Sequence, residues 1–321
     1  METEQKKEKE QEKEKIEHIV LSGGGIIGFS EYGALRESNK AGVWAQQDLR
    51  SIYCTSVGSI MAVMISLGYD WDTMDDFIIK RPWHHLFPIE LNTLLLGVQN
   101  RGLFTRQHFD PIFAPLFLGK DISLGITLQE FYEWTGGIEM HIFSIDINQD
   151  YSVDVDFSRR THPDTKVLDA VYCSCTLPGL FSPMLTDGGP CYLDGGIFKN
   201  YPAKECLEGQ ACDPRTVLGI RRCVKHVIDD VKVTTQTNLL ETVALFCSKI
   251  TERLATMPWL QTKLPCDIVL KVQPMNLVTL FDVLSRSEER VRLIEEGVKA
   301  FHKSRANSVC TSAVSDSGNI T

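Results

Sequence analysis

Two short runs in this 321-residue chain hold residue types at spacings that could do chemistry. In Cys54-Thr55-Ser56-Val57-Gly58 a serine sits between two apolar stretches, the first reading as a strand and the second as a helix. A strand entering a helix through small residues pushes such a serine out over the strand ends, the geometry of a nucleophile elbow. Gly58 fits that pattern, whereas Cys54 stands where its first glycine belongs. Taken alone, the five residues also fit a tight turn with Ser56 as a helix N-cap. Upstream lies Ser22-Gly23-Gly24-Gly25-Ile26-Ile27-Gly28, again between a strand and a helix. If the two strands are parallel, both loops emerge at one edge. Backbone N–H groups of Gly23, Gly24, Gly25 and Gly28 would then face Ser56 and could hold an oxyanion, with no Cβ atoms in the way.

The same glycine loop satisfies the dinucleotide-binding spacing, which asks for an acidic residue at the end of the second strand. Asp48 has the sequence distance but precedes that strand, at the wrong end of the sheet for a ribose. A serine nucleophile also needs a base. None of the eight histidines lies in a recognisable motif, His84-His85 in an aromatic segment being the best triad candidate among them. An aspartate at a glycine turn suits the role better, and there are two: Asp187-Gly188-Gly189 and Asp194-Gly195-Gly196.

Two further runs complete a pattern. One is Ala170 to Pro183, with Ser174, Pro178, Phe181 and Pro183. The other is Leu193-Asp194-Gly195-Gly196-Ile197-Phe198-Lys199-Asn200-Tyr201-Pro202. With the glycine loop and the elbow, these four blocks, in this order over residues 18–205, resemble the patatin-like phospholipase family. Arg101 to Phe104 and Ile145 to Asn148 are weaker echoes. The resemblance implies a Ser–Asp dyad without histidine, and it selects Asp194, because the family pattern runs on to Asn and Pro as it does here. It further implies an α/β/α sandwich with a mainly parallel central sheet, Ser56 as nucleophile and Asp194 as general base. The glycine loop would be the oxyanion hole and Gly195-Gly196 the turn beside the base. The expected reaction is two-step acyl transfer on a phospholipid or other lipid ester, needing no cofactor or metal. A weak base such as aspartate would have to sit in a partly desolvated pocket to serve near neutral pH. The chain departs from the pattern at Ile27, where the family loop carries Lys or Arg, and at Cys54. Those departures support a second reading, a catalytically weak lipid-binding or scaffold protein.

The elements that must position these residues read as strand–loop–helix–strand–turn–helix from Glu17 to Leu67, the opening of a three-layer α/β fold. Residues 81–118 mix aromatics with prolines and read as short irregular helices, either a cap meeting lipid or satellite core. Helices are expected at Gln129–Thr135 and Lys166–Cys175, and strands at His141–Ile147 and Ser152–Phe157. Beyond 205 the texture is mostly helical, with helices at Leu239–Leu254 and Val278–Lys303 around one strand-like run, Cys266–Val272. The expected layout is a charged disordered segment at 1–17 and a catalytic domain at 18–205. A helical region packed on the core at 206–303 and a disordered tail at 304–321 complete it.

Composition agrees with a globular chain: 43% hydrophobic and 23% charged, with a net charge of −9. That balance argues against a nucleic-acid partner held by bulk positive charge. Arg101 and Arg106, and the group Arg221, Arg222 and Lys225, read as scattered surface charge. Among the ten cysteines, Cys173, Cys175, Cys191, Cys206 and Cys212 contain no Cys-x2-Cys pair, which argues against zinc. The N-terminus has no signal-peptide pattern and no stretch could span a membrane, so a cytosolic protein with peripheral contact to lipid is expected.

Overall fold

The computed structural model describes residues 15–88, 91–151, 153–223, 232–237, 262–271 and 277–315, with scattered positions between 242 and 253. The chain opens with strand β1 (His18–Leu21), helix α1 (Ile27–Lys40), strand β2 (Ser51–Thr55) and helix α2 (Val57–Ser66). Helices α3 (Trp71–Lys80) and α4 (Leu91–Asn100), strand β3 (Gly102–Phe104) and helices α5 (Asp110–Leu118) and α6 (Leu128–Trp134) follow. Next come β4 (Glu139–Asp146), β5 (Val153–Phe157), α7 (Val167–Cys175), β6 (Gly179–Phe181), β7 (Tyr192–Asp194) and α8 (Ala203–Gln210). Strands β8 (Val217–Cys223) and β9 (Cys266–Lys271) and helices α9 (Leu277–Ser285) and α10 (Ser287–Ser315) close the chain.

Among the described residues seven strands form one sheet in the order β5-β4-β2-β1-β8-β9, with β7 paired to β4 off this path. Pairs β4/β2, β2/β1, β1/β8 and β8/β9 are parallel, whereas β5 and β7 run antiparallel to β4. Alternation along the strands sorts side chains to two faces. Ile19, Leu21, Ile52, Cys54, Ile142, Leu218 and Ile220 join the main core with α1, α2 and α7. Val20, Tyr53, Phe143 and Val217 face the other way, against Ala203 and Cys206 of α8. The result is an α/β/α sandwich with one thick and one thin helical layer.

In the C-terminal region β9 falls on the expected strand-like run Cys266–Val272, whereas β8 was not expected and joins β9 to the sheet. A parallel strand declares its neighbour only through long-range pairing, so the short run Val217-Leu218-Gly219-Ile220 carries little local signal. Helix α10 lies against α1 where both are glycine: a Cβ on Gly33 would meet the Ile294 carbonyl oxygen at 2.1 Å, and one on Gly297 the Ser30 oxygen at 1.9 Å. The single helix expected at Val278–Lys303 is two, α9 and α10, separated at Arg286, and α10 runs to Ser315, past the expected Lys303 boundary. No Gly or Pro interrupts residues 298–315, so the polar composition there does not break it. At the other end Ile16 is buried and the Glu17 N–H bonds to the Thr216 carbonyl, so the described chain begins before the expected boundary. The expected helix at Leu239–Leu254 falls largely outside the described residues, as do residues 1–14 and 316–321.

Segment 81–118 is more regular than expected. Phe104, Phe109, Phe113 and Phe117 are buried in the main core, and β3 pairs with β6 in a small parallel ribbon. Its outer helix α4 leaves Leu96 and Val98 exposed. No helix among the described residues is long and apolar enough to cross a membrane.

Candidate active site

Strand register brings the chemical residues together. Thr55 at the end of β2 pairs with Phe143, and the next residue of β4, Ser144, pairs with Asp194. Since β5 occupies the opposite edge of β4 over the same residues, β7 continues the line of β2 beyond its end. Asp194 is thereby set directly ahead of Ser56. The Oγ of Ser56 donates to Oδ2 of Asp194 at 2.6 Å, and both residues are buried.

Ser56 adopts φ 53° and ψ −128° as the N-cap of α2. A non-glycine residue in this region is strained by on the order of 1–3 kcal/mol and persists only where its surroundings hold it. Here they do. The Ser56 N–H donates to Ser174 Oγ at 2.8 Å, and that hydroxyl donates onward to the Phe143 carbonyl. Ser59 Oγ donates to the Ser56 carbonyl at 2.5 Å. Thr55 Oγ1 donates to the Lys199 carbonyl at 2.9 Å, tying the elbow to the Asp194 turn. Gly58 lets α2 leave the elbow close to β1, since a Cβ there would sit 2.7 Å from the Ser22 carbonyl oxygen.

Asp194 is fixed by its own turn. Its Oδ1 accepts from the Gly196 N–H at 2.7 Å, and its N–H donates to the Thr176 carbonyl at 2.9 Å. Burial raises the Asp194 carboxyl to about 6, against the opposing pull of the Ser56 hydroxyl, the Gly196 N–H and the Arg222 charge. The other candidate turn, at Asp187, is exposed and closed by the Gly189 N–H on the Thr186 carbonyl. Among the described histidines, His141 Nδ1 lies 2.7 Å from Asp156 Oδ2, His18 Nδ1 lies 2.7 Å from Ser51 Oγ, and the rings of His84 and His85 lie against each other, whereas the Ser56 hydroxyl is bonded to Asp194.

The glycine loop stands across from the elbow. At Gly23 the approach is so close that a Cβ would lie 2.9 Å from the Ser56 Cβ. The Gly23 N–H donates to the Asn200 carbonyl and the Gly28 N–H to the Gly25 carbonyl. Among the described residues the N–H groups of Gly24 and Gly25 have no backbone acceptor. The N-termini of α1 and α2 converge here, with Gly28 packed on Val57. Both helix dipoles therefore favour negative charge between loop and elbow.

Residues 19–207 match the family model described as patatin-like phospholipase, and this stretch is more than half of the chain. The chain belongs to the patatin-like phospholipase family. An uncharacterised protein of Acanthamoeba polyphaga mimivirus is 26% identical over 195 residues, which are 58% of this chain and 60% of that protein. The patatin-like chain thus matches less than two thirds of that relative's length. Among solved structures, human GIVD cytosolic phospholipase A2 is 12% identical with a TM-score of 0.46, over 92% of this chain and 60% of that one. VipD from Legionella pneumophila is 15% identical with a TM-score of 0.44, over 88% and 67%. At such values the likeness identifies no substrate, and family membership rests on the sequence match.

Both departures from the patatin-like pattern are absorbed by packing. Cys54 is fully buried, with its thiol against the His141 carbonyl at 3.4 Å and pushed well up by burial. Ile27 belongs to the hydrophobic core, so the side chain at that position points away from solvent. Three residues at this site had no role assigned from sequence: Ser174, Asn200 and Arg222. Ser174 and Asn200 lie inside the quoted family runs, which could have drawn attention to them. Arg222 carried no such signal. Arg221 and Arg222 are half-buried rather than surface charge, with Arg221 paired to Asp267 at 2.9 Å, whereas Lys225 lies outside the described residues. Arg106 is likewise committed, to Asp169 and Asp110.

Proposed function

We propose that this chain is a serine acyl hydrolase of lipid esters, phospholipase A-like, working through Ser56 and Asp194. The single observation that carries the reading is the 2.6 Å Ser56–Asp194 contact at a strained elbow. Asp194 takes the Ser56 proton as Oγ attacks the ester carbonyl. The carbonyl oxygen becomes an oxyanion facing the glycine loop, for which Gly24 and Gly25 have N–H groups to offer. Collapse expels the alcohol, which leaves with the proton held by Asp194. Water then attacks the acyl-enzyme, giving its proton to Asp194, and the fatty acid departs as Ser56 is reprotonated. A carboxyl near pH 6 is a far better base at neutrality than an ordinary aspartate.

Contact with a lipid surface is part of the proposal. Phe198, four residues after Asp194, is exposed, as are Met184 and Leu185 after β6 and Leu96 and Val98 on α4. Of these apolar side chains Phe198 stands on the Asp194 turn itself, and together they suit an interface with acyl chains.

The test is fatty-acid release from mixed phospholipid vesicles by the wild type and by Ser56→Ala, with and without chelator. Release that survives chelation and disappears in Ser56→Ala supports the reading. Release that persists in Ser56→Ala contradicts it.

A further inference from the structure

The loop Ser22–Gly28 contains no basic residue, yet a cation reaches it from a different strand. Parallel pairing of β1 with β8 sets Leu21 against Ile220, so Arg222 emerges beside Ser22. The Arg222 N–H donates to Ser22 Oγ at 3.2 Å, and that hydroxyl donates to Glu31 Oε1 at 3.2 Å. From there the Arg222 side chain runs under the loop, its Cδ lying 3.6 Å from where a Cβ on Gly24 would be.

Asn200 is the second half of the device. With its amide oriented to satisfy its hydrogen bonds, Asn200 Oδ1 accepts from Arg222 Nε at 3.1 Å and its Nδ2 donates to the Gly23 carbonyl at 3.3 Å. Its own carbonyl accepts from the Gly23 N–H at 3.1 Å. Gly23 is therefore held through both of its backbone polar groups by one residue. The same amide fills the space between loop and turn: a Cβ on either Gly23 or Gly196 would lie 2.8 Å from it. Loop, Asp194 turn and β8 thus meet at Asn200.

We propose that Arg222 is a positioning residue for the reaction at Ser56, holding the glycine loop against the Asp194 turn through Asn200 and supplying the positive charge that the loop lacks. The inference rests on the acyl-hydrolase reading above. Two effects follow. The tether keeps the loop N–H groups aimed at the oxyanion position, and the charge favours ionised Asp194. The groups facing Asp194 are the Ser56 hydroxyl, the Gly196 N–H, Arg222 and the Cys175 thiol of α7, with Glu31 of α1 beside Arg222.

The experiment compares wild type, Arg222→Met, Arg222→Lys and Asn200→Ala, each checked for folding by circular dichroism. Hydrolysis of a soluble aryl ester gives the pH profile of kcat/KM, and the carbon signal of labelled aspartate, assigned with Asp194→Asn, gives the Asp194 titration directly. Arg222→Met should lower kcat/KM about 100-fold and move both the acidic limb and the Asp194 titration to higher pH. Arg222→Lys should keep the wild-type midpoint. Asn200→Ala should lower kcat at least about 10-fold with the midpoint unmoved, which tests the tether even if Arg222→Met does not fold. A folded Arg222→Met with wild-type midpoint and rate, or Asn200→Ala within about three-fold of wild type, overturns the proposal while leaving the hydrolase reading intact. A wild type that does not hydrolyse the ester removes the hydrolase reading instead, and the Asp194 titration still decides whether Arg222 governs that carboxyl.

Discussion

Ser56 and Asp194 are 138 residues apart in sequence and share a 2.6 Å hydrogen bond. Neither residue alone explains the contact. It exists because β7 takes up the edge of β4 at the residue after β2 leaves it. The geometry of this candidate site is therefore a property of sheet register, and a slip in that pairing would separate the two groups.

The raised Asp194 carboxyl carries a stability consequence. Its folded value of about 6 lies above the ordinary 3.8, so the folded state holds the proton more tightly than the unfolded chain does. The ionised carboxyl accordingly costs stability, progressively as pH rises from about 4 to about 6 and in full above that. Asp194→Asn should stabilise the protein by about 2–3 kcal/mol at pH 7.5, with the gain shrinking toward zero near pH 4. Urea unfolding of both proteins at the two pH values measures this. Equal stability at pH 7.5 would mean that Asp194 is not desolvated.

Activity should show the same group. In the proposed mechanism Asp194 accepts the Ser56 proton only when ionised, so kcat/KM should fall below a midpoint near 6, with a slope of one proton. A profile that stays level down to pH 4 would indicate an ordinary carboxylate, or none, on the path.

Much of this site was legible in the sequence, and the reasons are local. The glycine loop, the elbow and the Asp-Gly-Gly turn each use residues chosen for backbone conformation or close approach, such as Gly23 against Ser56 and Gly58 against Ser22. Requirements of that kind leave marks in contiguous residues. Arg222 was not legible, because its place beside Ser22 comes from pairing between strands about 200 residues apart. The β3/β6 ribbon was hidden for the same reason, each strand being only three residues long. Helix α10 continuing through the Ser-rich residues shows a third limit: composition marks solvation more readily than it marks the end of a helix.

Ser174 offers a test of how the elbow is held. Ser174→Ala removes the acceptor of the buried Ser56 N–H and the donor to the Phe143 carbonyl. We expect a loss of about 1–3 kcal/mol in stability and a fall in kcat of roughly 10-fold as Ser56 drifts from Asp194. Thermal melts and steady-state kinetics on the one variant separate the two effects.

Arg290 tests the C-terminal region. Almost fully buried, it donates to the carbonyls of Ile79 and Arg81 at the end of α3 and of Val283 and Leu284 in α9. One guanidinium thus satisfies carbonyls at two helix ends. Arg290→Met should destabilise the fold by about 2–4 kcal/mol, read as an earlier urea midpoint, while an Arg290 that only decorated the surface would cost under about 0.5 kcal/mol.

The most direct measurement is the site and rate of fluorophosphonate labelling in the wild type, Ser56→Ala and Asp194→Asn, with the modified peptide identified by mass spectrometry. The Ser56–Asp194 account predicts modification of Ser56 alone in the wild type and none in Ser56→Ala. It also predicts a rate at least about 100-fold lower in Asp194→Asn, although that variant is the more stable protein. Label on a different residue, or an Asp194→Asn that reacts as fast as the wild type, would contradict it.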